Sequence, residues 1–410
     1  MKKLFILLVV IAVSFLTVNA QILKKLSDKI KDKTEQRADQ KTDQAIDKGL
    51  DKTEEGAKDA TKNNKDSKSN TNTSSKKDTG SSPDGNNVPS FKVYQNYDFV
   101  PGDKILFEDN FTDDQDGEFA THWELKAGQA VLNKINGELT MNLTDGNYAR
   151  VIPRMKTEKY LSDPYTIEFD WYHRPGAYGL NLLMGFTKDG NHEESDVSIQ
   201  PAEMSFNAST SGVSLSKSYS EEIKSDFDNK WHHVALTFKN HQLKVYLDQT
   251  RILMVPDTKE DYESITFAGI GAEESPITFR NIRIASGGSQ NMIGKKFTES
   301  KIVTHGINFD IDKATIKPES MGTLNMIVQV LKDNPDLKFE VDGHTDNTGT
   351  AAHNLTLSQQ RADAVKDQLI KMGIDATRLT SKGFGDTKPI SDNNTLDGRA
   401  NNRRVEFVKM

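Results

Sequence analysis

The chain has 410 residues, 35% hydrophobic and 28% charged, long enough for two domains and a tail but polar for a chain that is globular throughout. A formal net charge of −7 argues against a general nucleic-acid binder, which shows a basic face. With no cysteine, disulfides, cysteine-ligated zinc, thiol catalysis and a lipid-modified N-terminal cysteine are excluded.

Residues 1–20 place two lysines before an apolar run from Leu4 to about Leu16, and Val18-Asn19-Ala20 offers a small-x-small cleavage site. This is the layout of a secretory signal peptide, and export with a mature chain beginning at Gln21 is the expectation. An uncleaved anchor is the weaker reading, because the run falls short of the ~20 residues a spanning helix needs. Residues 21–90 alternate Lys and Asp and then turn Ser/Asn/Gly-rich, with large apolar residues only at Ile22, Leu23, Leu26, Ile30, Ile46 and Leu50. Such a segment cannot bury enough apolar surface to offset its ordering entropy, so it reads as a charged low-complexity spacer, disordered or helical. Opposite charges four residues apart can support a solvated helix as far as about Lys58.

Composition changes near Val88, where Phe91, Tyr94, Tyr97, Phe99 and further aromatics arrive in quick succession. From there to residue 286 the chain shows short alternating segments, such as Tyr165–Trp171, Leu180–Phe186, His233–Phe238, Leu243–Leu247 and Ile277–Ile284. Turn signals separate them, including Asn136-Gly137, Asp145-Gly146 and Asp189-Gly190. Many strands at this spacing predict an all-β sandwich over 91–286. The stretch Asn229-Lys-Trp-His-His-Val to Val245-Tyr-Leu-Asp248 resembles a hairpin of concanavalin-like, laminin-G-type jelly rolls, with Gln249 in place of the usual glycine.

Three groups in this region could carry chemistry. Glu168-Phe-Asp170 matches half of a glycosidase strand motif, but His173 stands where the second glutamate belongs, so the acids read as edge or solvent-face positions. Asp109, Asp113, Asp114, Asp116 and Glu118 form an oxygen-rich loop whose spacing fits no calcium motif and reads as a solvated acidic loop. His232 and His233 fall on opposite faces of a strand and cannot chelate one metal together, so one is expected to be packed and the other exposed. No catalytic residue, metal ligand or cofactor is assigned. A binding module that recognises a glycan or envelope protein is the favoured reading, and a carbohydrate-active enzyme the alternative.

A short linker at 287–297 precedes a mixed α/β texture over 298–410. Strands are predicted at Ile302–Asn308, Leu337–Gly343, Leu379–Gly383 and Arg404–Val408, and helices at Lys317–Lys332 and Asn354–Met372. Leu355, Ser358, Ala362, Val365 and Leu369 are expected to line one face of the second helix. Together these make an α+β domain with helices on one sheet.

Within it stand Gly343-His-Thr-Asp346 and, further on, Leu357-Ser358, Arg361-Ala362 and Val365, the spacing D-x10-LS-x2-RA-x2-V. Phe309-Asp310, Gly383-Phe-Gly385 and Gly398-Arg-Ala-Asn-Asn-Arg-Arg-Val405 flank it. These residues resemble the OmpA-like C-terminal peptidoglycan-binding family. The resemblance implies recognition of the diaminopimelate residue of the wall stem peptide, chiefly through Asp346 and Arg361, with Asp310, Asn354, Arg403 and Arg404 as further contacts. The chemistry suits that ligand, whose side chain ends in an ammonium and a carboxylate on one carbon. Asp346 lies in a loop and Arg361 one or two turns into the next helix, whose start near Asn354 adds backbone donors. Arg361 can fork onto a carboxylate with two hydrogen bonds where lysine offers a point charge.

By themselves Asp346 and Arg361 read equally well as an internal salt bridge. Asp342 and His344 read as loop-shaping, hydrogen-bonding residues. The expected protein is thus a non-enzymatic periplasmic wall binder associated with the outer membrane, with peptidoglycan rather than nucleic acid as partner.

Overall fold

The protein is described by a computed structural model covering residues 97–144, 146–272, 274–288 and 296–410. The expected signal peptide, the spacer and most of the 287–297 linker lie outside the described residues, as does Asp145. All described residues fall within one compact unit, Asn86–Met410.

Alternating side chains fold the first part into strands. In chain order these are β1 (Lys104–Asp109), β2 (Trp123–Ala127), β3 (Ala130–Ile135), β4 (Glu138–Leu143), β5 (Ala149–Pro153), β6 (Tyr165–His173) and β7 (Leu180–Lys188). There follow β8 (Asn191–Ile199), β9 (Glu203–Ala208), β10 (Val213–Ser218), β11 (Lys230–Lys239), β12 (Gln242–Leu247), β13 (Thr250–Val255), β14 (Ser264–Gly269) and β15 (Ile277–Ser286). One antiparallel sheet runs β13-β12-β11-β6-β15-β4-β3, with β1 also on β15, and a second runs β10-β9-β8-β7-β14-β5-β2. Trp123, Phe169, Phe267 and Phe279 meet edge-on or stacked in the core, with ring centroids 5.0–6.0 Å apart. The five strand segments read from the sequence all lie in observed strands.

The outer face of the first sheet departs from expectation. Tyr165, Ile167, Phe169 and Trp171 of β6 point into the core, so Glu168 and Asp170 point away from it. Neither is a solvent-face residue: Glu168 is buried, because the C-terminal layer covers this face. His233 joins them there, with Nδ1 2.9 Å from Asp170 and Nε2 3.5 Å from Glu168. The expectation that one histidine of the pair is exposed is therefore corrected, since His233 is mostly covered and His232 is buried between Asp248 and the Phe227 carbonyl. A bulge in β15 between Arg280 and Arg283, with Asn281 at φ 53°, puts both arginines opposite the acids of β6. Arg283 lies across from Glu168 and Arg280 from Asp170.

The remaining strands are β16 (Lys301–Thr304), β17 (Phe339–Gly343), β18 (Leu379–Gly383) and β19 (Val405–Lys409), in the order β16-β19-β17-β18. Only β17 and β18 run parallel. The α-helices of this layer are α1 (Met321–Asp333), α2 (Ala351–Lys371) and α3 (Leu396–Asn402). Three predicted boundaries move most, the first being β16, which ends at Thr304 rather than Asn308. Pro318 opens a separate 3-10 turn before α1, and α2 begins at Ala351, where the Thr350 hydroxyl accepts from the His353 N–H. Leu355, expected on the apolar face, is 51% exposed, and Asn354 and Leu357 are buried instead.

The two layers share a hydrophobic core. Tyr97 and Phe99, just ahead of β1, pack with Ala235 and Tyr246 of the first sheet and with Met321, Leu324 and Phe339 of the C-terminal layer. Tyr97 meets Tyr246 edge-on at 5.5 Å, and Phe99 meets it at 5.6 Å.

Candidate functional site

The Asp346 loop follows β17 and leads into α2. At Gly343 a Cβ would stand 2.3 Å from the Ser358 carbonyl, so glycine is what lets α2 lie this close to the strand. The loop is tied at three points. Asp346 Oδ1 accepts from the Thr348 N–H at 2.9 Å, the Asn354 amide donates to the Asp346 carbonyl at 3.3 Å, and Thr345 N–H donates to the Gly385 carbonyl. Asn354, 2% exposed, is thereby a brace for the loop.

Among the described residues Asp346 and Arg361 form no direct ion pair. Asp346 Oδ2 instead accepts from Arg403 Nη1 at 2.5 Å. The internal salt bridge between the two leading residues is thus absent, and Arg403, placed by sequence among the secondary contacts, is the immediate partner of Asp346. Arg361 sits in the third turn of α2, deeper than expected, because the helix starts earlier. Its Nε donates to the Lys313 carbonyl at 2.9 Å and its Nη2 to the Asp310 carbonyl at 3.4 Å, with the guanidinium 4.9 Å from the Phe309 ring centre. Burial lowers its pKa; Asp312 and Asp346 oppose that shift and Arg403 adds to it, so these groups share one field.

Asp310, half-buried, contributes its carbonyl to Arg361 and places its carboxylate 3.9 Å from Lys313. Arg404 is occupied elsewhere. Buried, it donates to Glu406 at 2.7 Å and to the carbonyls of Lys388 and Asn402, which makes it a support under the site. The spacing could have shown this, since Arg404 and Glu406 lie two apart on one strand face.

Sequence reasoning missed Glu108. This residue of β1 accepts from Arg403 Nη2 and, at 2.9 Å, from Arg283 Nε. Burial alone would raise its pKa, but the two guanidiniums outweigh it and hold the carboxyl at about 2. Arg403 is accordingly clamped between Glu108 and Asp346, which raises its own pKa against the effect of burial. Arg283 continues the chain of charge, donating to the His305 carbonyl at 3.1 Å and to Asn308 Oδ1 at 3.0 Å.

Asp342, His344 and Glu406 offer donor atoms within 4.8 Å of one another, a spacing that suits a cation. Both oxygens of Glu406 are already taken, however, by Lys301 at 2.8 Å and Arg404 at 2.7 Å. Burial and then Arg404 push His344 down to about 4, and its ring stacks on Phe384 at 5.3 Å. In the β1–β2 loop, Asp109 accepts from Phe111 N–H and Trp123 Nε1–H, Asp114 accepts from Thr121, and Asp113 pairs with Arg399. Asp109 and Asp114 thus hold structure, whereas Asp113, Asp116 and Glu118 are exposed, as a solvated acidic loop requires.

Residues 308–403 match the family described as OmpA family, so the C-terminal layer carries an OmpA family domain. Among curated proteins, the chain is 45% identical over 104 residues to "Probable lipoprotein YiaD" of Escherichia coli, covering 25% of this chain and 48% of that protein. It is 45% identical over 100 residues to "Outer membrane porin F" of Pseudomonas fluorescens, covering 24% and 31%. It is 42% identical over 107 residues to "Peptidoglycan-binding protein ArfA" of Mycobacterium tuberculosis, covering 26% and 33%. The chain thus spans about half of the first relative's length and about a third of the other two.

Proposed function

We propose that this chain is a non-enzymatic envelope protein that binds peptidoglycan through its OmpA family domain and carries its β-sandwich as a recognition module. Two relatives are named for the outer membrane or for peptidoglycan binding, which supports a place in the periplasm, on the wall and beside the outer membrane. The ligand is the diaminopimelate residue of the stem peptide. Asp346 takes the ammonium and Arg361 the carboxylate, with Asp310 at the rim, Asn354 bracing the loop and Arg403 balancing the charge.

The observation that carries this reading is that Asp346 and Arg361 are close enough to share a field yet not joined. Asp346 has only a guanidinium to exchange for an ammonium, and Arg361 is held by neutral carbonyls rather than by a directly bonded carboxylate. Asp346→Ala or Arg361→Ala should reduce co-sedimentation of the chain with purified sacculi more than about tenfold. Undiminished sedimentation of both variants, with circular dichroism unchanged, would remove the site.

A further inference from the structure

The ion chain that runs from the sandwich into the wall site carries an inference about how the site accepts its ligand. It rests on the diaminopimelate reading above. Asp346 is 7% exposed and both its oxygens are engaged, Oδ1 by the Thr348 N–H and Oδ2 by Arg403. A ligand ammonium can reach this carboxylate only by sharing or displacing Arg403. Displacement would cost Arg403, whose side chain is 38% exposed, the carboxylate that balances its charge beside the loop. Arg403 has a second carboxylate, however. Glu108 lies on β1, in a different layer and 295 positions away in sequence, and it accepts from the other terminal nitrogen of the same guanidinium.

We propose that Glu108 is a positioning residue of the wall-ligand site, contributed by the sandwich, that holds Arg403 when the ligand's ammonium takes Asp346. The pairing of Glu108 with Arg283 keeps it anchored while it does so, and Arg283 is itself fixed by the His305 carbonyl and Asn308. A neutral residue at 108 leaves Arg403 with Asp346 as its only carboxylate. The arginine then competes harder for Asp346 and repels the incoming ammonium. The carboxylate end of the ligand, on Arg361, sees the opposite and smaller effect. Glu108 therefore sets selectivity for a free amine, and the sandwich is a working part of the wall site.

The test is calorimetric titration of the full chain with the tripeptide alanyl-γ-glutamyl-diaminopimelate and with the same peptide acetylated on its distal amine. Wild type should bind the free-amine peptide and discriminate against the acetylated one. Glu108→Gln should lower affinity for the free-amine peptide about tenfold and shrink that discrimination by about the same factor. In an Arg403→Gln background, Glu108→Gln should change affinity less than about twofold, because there is no guanidinium left to hold. Equal discrimination by wild type and Glu108→Gln would overturn the proposal. So would an undiminished effect of Glu108→Gln without Arg403, which is what a merely structural role at the layer boundary would produce. If wild type itself fails to bind the free-amine peptide, the diaminopimelate reading falls first.

Discussion

Four consecutive residues, Asn401 to Arg404, carry four different tasks. The Asn401 side chain accepts from the Ile105 N–H at 3.0 Å and donates to the Ile105 carbonyl at 2.9 Å, so one amide pairs with β1 as a strand edge would. Asn402 is fully buried and accepts from Ile390 and Ser391 N–H groups while donating to the Ser391 carbonyl and Asn393 Oδ1, all within 3.0 Å. Arg403 turns to Asp346 and Arg404 turns inward to Glu406. Read as a motif, the run looks uniform; only the backbone turn from α3 into β19 separates the roles. Asn402→Ala should cost about 1–3 kcal/mol in denaturant unfolding, since it removes four hydrogen bonds that tie the partly exposed 390–393 loop to a buried side chain. A loss below about 0.5 kcal/mol would mean that the 390–393 loop holds itself without Asn402.

At the scale of elements, what the sequence made legible was whatever depends on neighbours along the chain. Alternation located the strands of the sandwich, and the Asp346-to-Val365 spacing located the loop and helix of the site. It could not show which sheet face another layer would cover, so Glu168 and Asp170 looked solvated, the covered one of His232 and His233 could not be told, and Glu108 carried no signal. The turn after β16 shows the consequence. His305 is buried where the layers meet, and its Nε2–H donates to the Asn401 carbonyl at 3.0 Å, tying β16 to α3. Burial lowers its pKa to about 4. The unfolded chain takes up a proton there as pH falls through about 6.5, whereas the folded chain stays neutral until about pH 4. Acidification across that window therefore drains stability, by up to about 3 kcal/mol for a shift of this size. His305→Gln keeps a donor without the titration. Its thermal midpoint should fall less between pH 7 and pH 5 than that of wild type, and parallel pH profiles for the two proteins would refute the assignment.

For the molecule as a whole, the shared core decides whether the sandwich and the OmpA family domain behave as one body. Phe99 is the hinge-pin of that question. A Cβ on Gly322 of α1 would lie 1.9 Å from the Phe99 carbonyl oxygen, and Phe99 supplies every one of its three nearest atoms. Replacing a helical glycine by alanine ordinarily stabilises by about 1 kcal/mol. Here the same change must push the Tyr97–Phe99 segment off the helix and, with it, the edge-on contacts to Tyr246. The sign of Gly322→Ala should consequently depend on whether the segment is present. In the whole chain it should lower stability and separate one calorimetric transition into two, as the layers lose their common core. In residues 296–410 alone, where Phe99 no longer stands against Gly322, the substitution should raise the midpoint instead. A stabilising effect in both settings would mean that the layers touch without depending on each other, and the coupling of Glu108 to the wall site would then have to act through a loose joint.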